Sequence, residues 1–410
     1  MTGASHDPAV TAKRIAIASA AAARYNFPAH SLRAVGVTGT NGKTTTVNIL
    51  RALLDEPDSP AASIGTLGVL VGASGQVMPG GRGLTTPGPD ELQRVLRELV
   101  DAGIGTVAME VSSHALDQHR VHGVTFDAGV FTNFTRDHLD YHGTMEEYFG
   151  AKAKLISYLK HDGVAVVNAA QPEWRDLPSA PRTLTYGGAT GDVRAENITF
   201  DGTGSNWTIC DRDESAHVRL PLVGDFNVVN ALAAAAAAIA VGVTLPTVAR
   251  LLALIPQIPG RLERIADSPP VIRDYAHTPD ALVRSLAALR PFVSGNLILV
   301  FGAGGDRDPG KRPIMGAAAM AGADRVIVTS DNPRTEDPDA IIDEIERGMT
   351  GRYERITDRR SAIARAIDIA DSGDTVLLAG KGHETYQVIG TEKHPFDERQ
   401  VVAEILGTLH

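Results

Sequence analysis

Apolar positions along this chain follow two alternating periods. Leu32, Ala34, Val35 and Val37 form a short run that reads as a buried strand, and Val47, Ile49, Leu50, Leu53 and Leu54 recur at helical spacing. The pairing then repeats. A helix is expected from Pro89, with Leu92, Val95, Leu96 and Leu99 on one face, and strands are expected at 106–109, 128–131 and 164–167. Residues 61–88 are rich in glycine and turn residues, and 184–218 read as short antiparallel strands around Trp207 and Ile209. An alanine-rich helix covers 231–243, and the prolines and glycine of 255–261 break the periodicity. Beyond that break, strands at 271–274, 296–301, 324–329 and 374–379 alternate with helices near 281–289, 313–321, 341–347 and 361–370. Such alternation predicts the α/β class with mostly parallel sheets, in two domains after a helical lead-in over 1–30.

Composition narrows the picture. The 410 residues suffice for at least two cores, and 39 Lys and Arg against 49 Asp and Glu give a net charge of -10. With no basic run, a nucleic-acid partner is not expected. The single cysteine, Cys210, forms neither an internal disulfide nor a thiolate cluster, which fits a reducing cytoplasm. The alanine-rich stretch is too short and too weakly apolar to span a bilayer, so no membrane partner is expected, and Met1–Val10 lack the pattern of a secretory signal.

The chemistry begins between the first strand and helix, at Gly39-Thr40-Asn41-Gly42-Lys43-Thr44-Thr45. Glycines at a strand-to-helix junction let backbone N–H groups close around phosphate oxygens. Lys43 reaches the terminal phosphates, and Thr44 or Thr45 offers a hydroxyl to Mg2+. The usual spacing would place glycine at position 37, where this chain has Val37, so the loop is a variant. Glu110 ends the 106–109 strand, where open parallel sheets gather their sites, and is a candidate Mg2+ ligand or water-positioning group against the alternative of a solvated strand end. Ser112, Ser113 and His114 follow without a nucleophile elbow, which disfavours covalent serine catalysis. Asp137, His138, Asp140 and His142 make the 132–142 loop too polar for a core segment. Lys152 falls on a helix expected over 146–159, where periodicity alone favours a lysine snorkelling to the surface. Asn227 and Asn230 share one helical face and either cap that helix or meet a base or sugar. In the second domain each strand runs into a polar loop: 275–277, 302–307, 331–334 and 380–384. Four such ends imply one shared cleft.

Several motifs, in order over about residues 30–410, carry a resemblance to the Mur ligase family: G-T-N-G-K-T-T-T at 39–46, T-T-P at 85–87, E-V-S-S-H-A-L at 110–116, T-R-D-H-L-D-Y-H-G at 135–143, G-D-F-N-V-V-N at 224–230, D-Y-A-H-T-P-D at 274–280, D-N-P-R at 331–334 and G-K-G-H-E at 380–384. The resemblance implies an ATP-dependent amide-forming ligase, with a P-loop ATPase-like central domain over 31–258 and a Rossmann-like C-terminal domain over 259–410. Residues 1–30 would be the remnant of a uridine-binding N-terminal domain. On the same footing Glu110 and His138 would be Mg2+ ligands, and Lys152 would be carbamylated to hold a second Mg2+. Asn227, Arg261, Asp274 and His277 would lie around the nucleotide, and Thr85, Thr86 and Ser112 would meet a muropeptide-like acceptor. The D-N-P-R motif, Asp331, Asn332, Pro333 and Arg334, would mark meso-diaminopimelate as the incoming amino acid, held also by Arg307, Gly380 and Glu384. A cytoplasmic monomer is expected. The competing readings are a related ligase with a non-UDP acceptor, a folylpolyglutamate- or cyanophycin-type ligase, and an inactive scaffold.

Overall fold

The computed structural model describes residues 7–81 and 83–408, so Met1 to His6 of the expected lead-in lie outside the described residues. Two units emerge. One runs to Pro256, except for 201–203 and 222–224; those short stretches and the chain from Gln257 onward form the other.

In the first unit the strand Arg33–Thr38 lies between Thr106–Glu110 and Phe126–Phe131, parallel to both. Ala61–Gly65 extends this parallel block on one side, and Leu159–Asn168 with Arg182–Tyr186 on the other. Both margins of the eleven-stranded sheet turn antiparallel, at Gly68–Val71 with Gln76–Met78 and at Gly204–Asp211 with Glu214–Leu220. Strands covered on both faces need apolar side chains at every position, and Ala34, Val35 and Val37 are fully buried. From Arg33–Thr38 the chain goes first to the Ala61 side and later to the Phe126 side. That reversal opens a crevice at the C-terminal strand ends, which is where the glycine loop sits. Helix Lys43–Leu53 packs against Asp225–Ala240, whose buried alanines 231 and 233–238 permit a close approach.

Two local expectations change. Residues 61–88, expected as turns, contain three strands, because Ile64, Val69 and Leu70 bury themselves between the glycines once the sheet supplies partners. The helix expected over 146–159 ends at Ala153; a 3-10 turn, Lys154–Tyr158, then leads into the strand from Leu159.

The second unit holds a six-stranded sheet in the order Glu263–Asp267, Pro270–Asp274, Thr375–Ala379, Leu297–Phe301, Arg325–Val328, Glu354–Arg355. Only the first pair is antiparallel. The four expected strands are all present and carry the core, with Leu297 to Phe301 fully buried. Beneath the strand ends Arg359 and Glu398, both buried, form an ion pair. Arg359 also donates to the carbonyls of Ser330 (3.4 Å) and Ala379 (2.9 Å), pinning the strand ends that precede Asp331 and Gly380. Both units are α/β with parallel-dominated sheets, as the sequence leads one to expect.

Candidate active site

The glycine loop takes its shape from backbone that only glycine adopts freely. Gly39 and Gly42 have φ of 144° and 85°, and a Cβ on Gly39 would stand 1.9 Å from Thr132 Oγ1. The loop is braced from the neighbouring strand end: Thr40 N donates to the Asn133 carbonyl, Asn41 N to Asn133 Oδ1, and Thr132 Oγ1 to the Asn41 carbonyl. Lys43 folds back over the loop, its Nζ donating to the carbonyls of Gly39 (3.0 Å) and Thr40 (2.8 Å). Thr44 and Thr45 are buried in the first helical turn. Asn227 and Asn230 lie inside helix Asp225–Ala240 and touch each other at 3.3 Å, and Asn230 Oδ1 lies 2.3 Å from where a Cβ on Gly42 would stand.

Lys152 overturns the snorkelling expectation: it is 1% exposed. Its Nζ donates to the Gly39 carbonyl at 2.7 Å and lies 4.4 Å above the Tyr148 ring. The partner that draws it inward is 113 residues away in the chain, beyond the reach of helical periodicity. Burial, and then the nearby Lys43 ammonium, hold its pKa well below the usual lysine range.

Glu110 is buried and accepts from Thr66 N (2.8 Å) and Thr66 Oγ1 (3.2 Å). Thr66 Oγ1 meets Thr85 Oγ1, and Thr86 Oγ1 donates to the Glu110 carbonyl and receives Ser112 N–H. Arg120, which sequence reasoning passed over, reaches the Thr86 carbonyl at 3.1 Å and pairs with Gln118 through two bonds. Nothing in its local sequence marks it; the short helix Ser113–Asp117 carries it there.

His138 sits in the left-handed region, φ 52°, heading a short helix. Its ring stands 4.8 Å from His114, which also packs on Tyr141 and His142. His142 bonds Ser113 Oγ at 2.9 Å. Burial pushes His114 and His142 down to about 4 and lowers His138 as well, so all three imidazoles are neutral at pH 7. The Glu110 and His138 groups adjoin through consecutive residues, with Ser112 in the first and Ser113 and His114 in the second.

Asn332 Oδ1 accepts from Val388 N (2.9 Å) and Lys381 Nζ (3.1 Å), which turns Asn332 Nδ2 to Glu384 Oε2 at 2.8 Å. Gly380 is needed where it stands, because a Cβ there would lie 2.5 Å from Asp331 Oδ2. Arg334, φ 53°, donates to the Gly305 carbonyl, and its Nη1 and the stem of Arg307 both border Gly304. Pro333 presses its carbonyl against Gly305. A second group forms nearby: Arg261 lies 4.7 Å over the Tyr275 ring, Asp274 accepts from Leu262 N and Ser285 Oγ, and His277 Nδ1 donates to the Tyr275 carbonyl. Desolvation raises the Asp274 pKa.

Family models match the chain in two places, the Mur ligase middle domain over residues 37–238 and the Mur ligase glutamate ligase domain over 260–382. The chain belongs to the Mur ligase family. Among relatives, the UDP-N-acetylmuramoyl-L-alanyl-D-glutamate--2,6-diaminopimelate ligase of Synechococcus elongatus is 48% identical over 93% of this chain and 78% of its own length. The ligase of the same name from Geobacillus kaustophilus is 46% identical, over 96% and 82%. A solved structure of a ligase with that name matches at 38% identity with a TM-score of 0.63, over 92% of this chain and 78% of the other. Folylpolyglutamate synthase of Mycobacterium tuberculosis, at 21% identity and TM-score 0.75, shares the Mur ligase fold.

Proposed function

We propose that this Mur ligase joins meso-diaminopimelate to the D-glutamate γ-carboxylate of a UDP-N-acetylmuramoyl-L-alanyl-D-glutamate-like acceptor, converting ATP to ADP and phosphate. The observation that carries this reading is the 46–48% identity, over at least 93% of the chain, to ligases named for that reaction. We assign residues 31–258 to ATP and acceptor and 259–410 to the amino acid.

The acceptor carboxylate attacks the γ-phosphorus of ATP, an acyl phosphate forms and ADP leaves; the amine then attacks the acyl carbon and phosphate departs. Lys43 follows the γ-phosphate, exchanging the Gly39 and Thr40 carbonyls for phosphoryl oxygens. The backbone N–H groups of Gly39 to Thr45 cradle the remaining phosphates. Thr85, Thr86, Ser112 and Arg120 face the acceptor, with Arg120 as the cation for its carboxylate. Asn227, Arg261, Asp274 and His277 are assigned to the nucleotide on the family resemblance. Arg307 and Arg334 meet the distal carboxylate of the amino acid, and Glu384 its ammonium, beside Asp331, Asn332, Pro333 and Gly380.

The donor set fits Mg2+ in part as it stands. Among the described residues no three His, Cys, Asp or Glu side chains group closely enough to hold an ion unaided. Thr44, the Glu110 carboxylate and the neutral His138 imidazole supply donors that need phosphate or carbamate oxygens to complete them. Lys152 can supply the latter: its depressed pKa leaves a lone pair that attacks CO2, one N–H proton leaves to solvent, and a carbamate anion results. Mg2+, when bound, offsets negative charge on the phosphoryl oxygens.

The test is phosphate release with ATP, Mg2+ and UDP-N-acetylmuramoyl-L-alanyl-D-glutamate, comparing meso-diaminopimelate, L-lysine and no amino acid. Release that depends on diaminopimelate, with tripeptide identified by mass, is the expected result. Release with L-lysine alone would overturn the amino-acid assignment. Diaminopimelate binding without tripeptide would redirect the acceptor to a non-UDP compound.

A further inference from the structure

Lys381 is 0% exposed, yet nothing in the reaction above uses it. Its Nζ lies 3.1 Å from Asn332 Oδ1, 3.2 Å from Glu384 Oε2 and 3.9 Å from Asp331 Oδ1. Glu384 Oε2 therefore accepts twice, from Lys381 and from Asn332 Nδ2, and no described group donates to Oε1. Asp331 Oδ1 is buried without a hydrogen-bond partner. One ammonium group faces two carboxylates, and Oε1 of the half-buried Glu384 is left open beside it. A partly desolvated carboxylate oxygen without a partner is costly, and a ligand ammonium is the group that would pair with it.

We propose that Lys381 is a positioning residue that sets amino-acid specificity: it fixes Glu384 and the Asn332 amide so that Oε1 receives the distal ammonium of the incoming amino acid. This rests on the reading of the site given above. Lys381 acts in two ways. It clamps Oε2 so that the carboxylate cannot turn away, and it holds Asn332 so that its amide donates to that same oxygen, which leaves Oε1 for the substrate ammonium. An amino acid that lacks the distal ammonium leaves Oε1 without a partner and is rejected.

The experiment compares kcat/KM for meso-diaminopimelate and for L-2-aminopimelate, which keeps the reacting amine and both carboxylates and lacks only the distal ammonium. Wild type is expected to prefer diaminopimelate strongly, and Lys381→Met to reduce that preference by about tenfold or more. The loss should fall on KM for diaminopimelate, with KM for ATP and for the acceptor unchanged. A general structural defect would lower both amino acids alike and leave the ratio intact, so an unchanged ratio in folded Lys381→Met overturns the proposal. Lys381→Met/Asp331→Asn removes one charge of each sign. It should recover any lost thermal stability while the preference stays low, and recovery of both would overturn the positioning role. Wild type inert toward diaminopimelate would instead refute the function proposed for the site.

Discussion

Two buried lysines stand at the two strand-end sites, in opposite surroundings. Lys152 meets a carbonyl, an aromatic face and another lysine; among the described residues no carboxylate lies within ion-pair distance, and Asp137 acts on it only weakly from further off. Lys381 is gripped by Glu384 and Asn332 with Asp331 close by. A buried lysine without a close counter-ion is driven toward its neutral form, which is nucleophilic; a lysine braced by carboxylates and an amide becomes part of the scaffold. Burial alone therefore says little about what a lysine does. Its neighbours decide between chemistry and architecture.

The sharpest way to break this contrast is to replace each lysine by methionine. Lys152→Met should lower turnover by about 10²–10³-fold, the scale for losing a preorganised electrostatic group. It should shift thermal stability little, by about 1 kcal/mol, since Lys43 still satisfies the Gly39 carbonyl. Lys381→Met should do the reverse to stability, costing about 3–5 kcal/mol because the buried Asp331 and the half-buried Glu384 lose their cation. Thermal melting and steady-state turnover on both variants check the pair. Equal losses of stability would end the distinction.

The aromatic surroundings of Lys152 carry a pH signature of the metal-free protein. His114 and His142, held near 4 against an ordinary 6.5, bind fewer protons folded than unfolded between those values. Their contribution is complete above about pH 6.5 and disappears as pH falls toward about 4. Replacing His142 by Phe should flatten the loss of stability across that window. Melting temperature against pH for both proteins reads it, and parallel curves would show that the imidazole does not titrate there.

Legibility followed the range of the interactions. The glycine loop, the four strands of the second unit and the polar loops after them could be read because strand, turn and helix signals are local. The Lys152 burial could not, since its partner Gly39 is distant in sequence and helical periodicity counts only near neighbours. Arg120 escaped for the same reason: what places it is a carbonyl, Thr86, on another segment. Lys381 lay within a motif already singled out, G-K-G-H-E, but nothing local in that motif shows that Asp331 and Asn332 close over it. The strands after Ala61 were hidden by their glycines, which the sheet tolerates at Gly68 because the hairpin turn there needs a positive φ of 86°.

The smallest effect tests how Glu110 is held in the first of the two sites. Thr66 gives it two bonds, the backbone N–H at 2.8 Å and the hydroxyl at 3.2 Å. Thr66→Val removes only the second and keeps the shape, so the carboxylate stays anchored on one oxygen while the other turns more freely. A single such bond contributes about 0.5–1.5 kcal/mol, which corresponds to a few-fold to about tenfold loss in turnover. The dependence on Mg2+ concentration should shift upward by a similar factor, because a less ordered carboxylate is a poorer donor. The same drop in turnover with an unchanged Mg2+ dependence would place Thr66 in acceptor contact through Thr85, and would detach Glu110 from the metal.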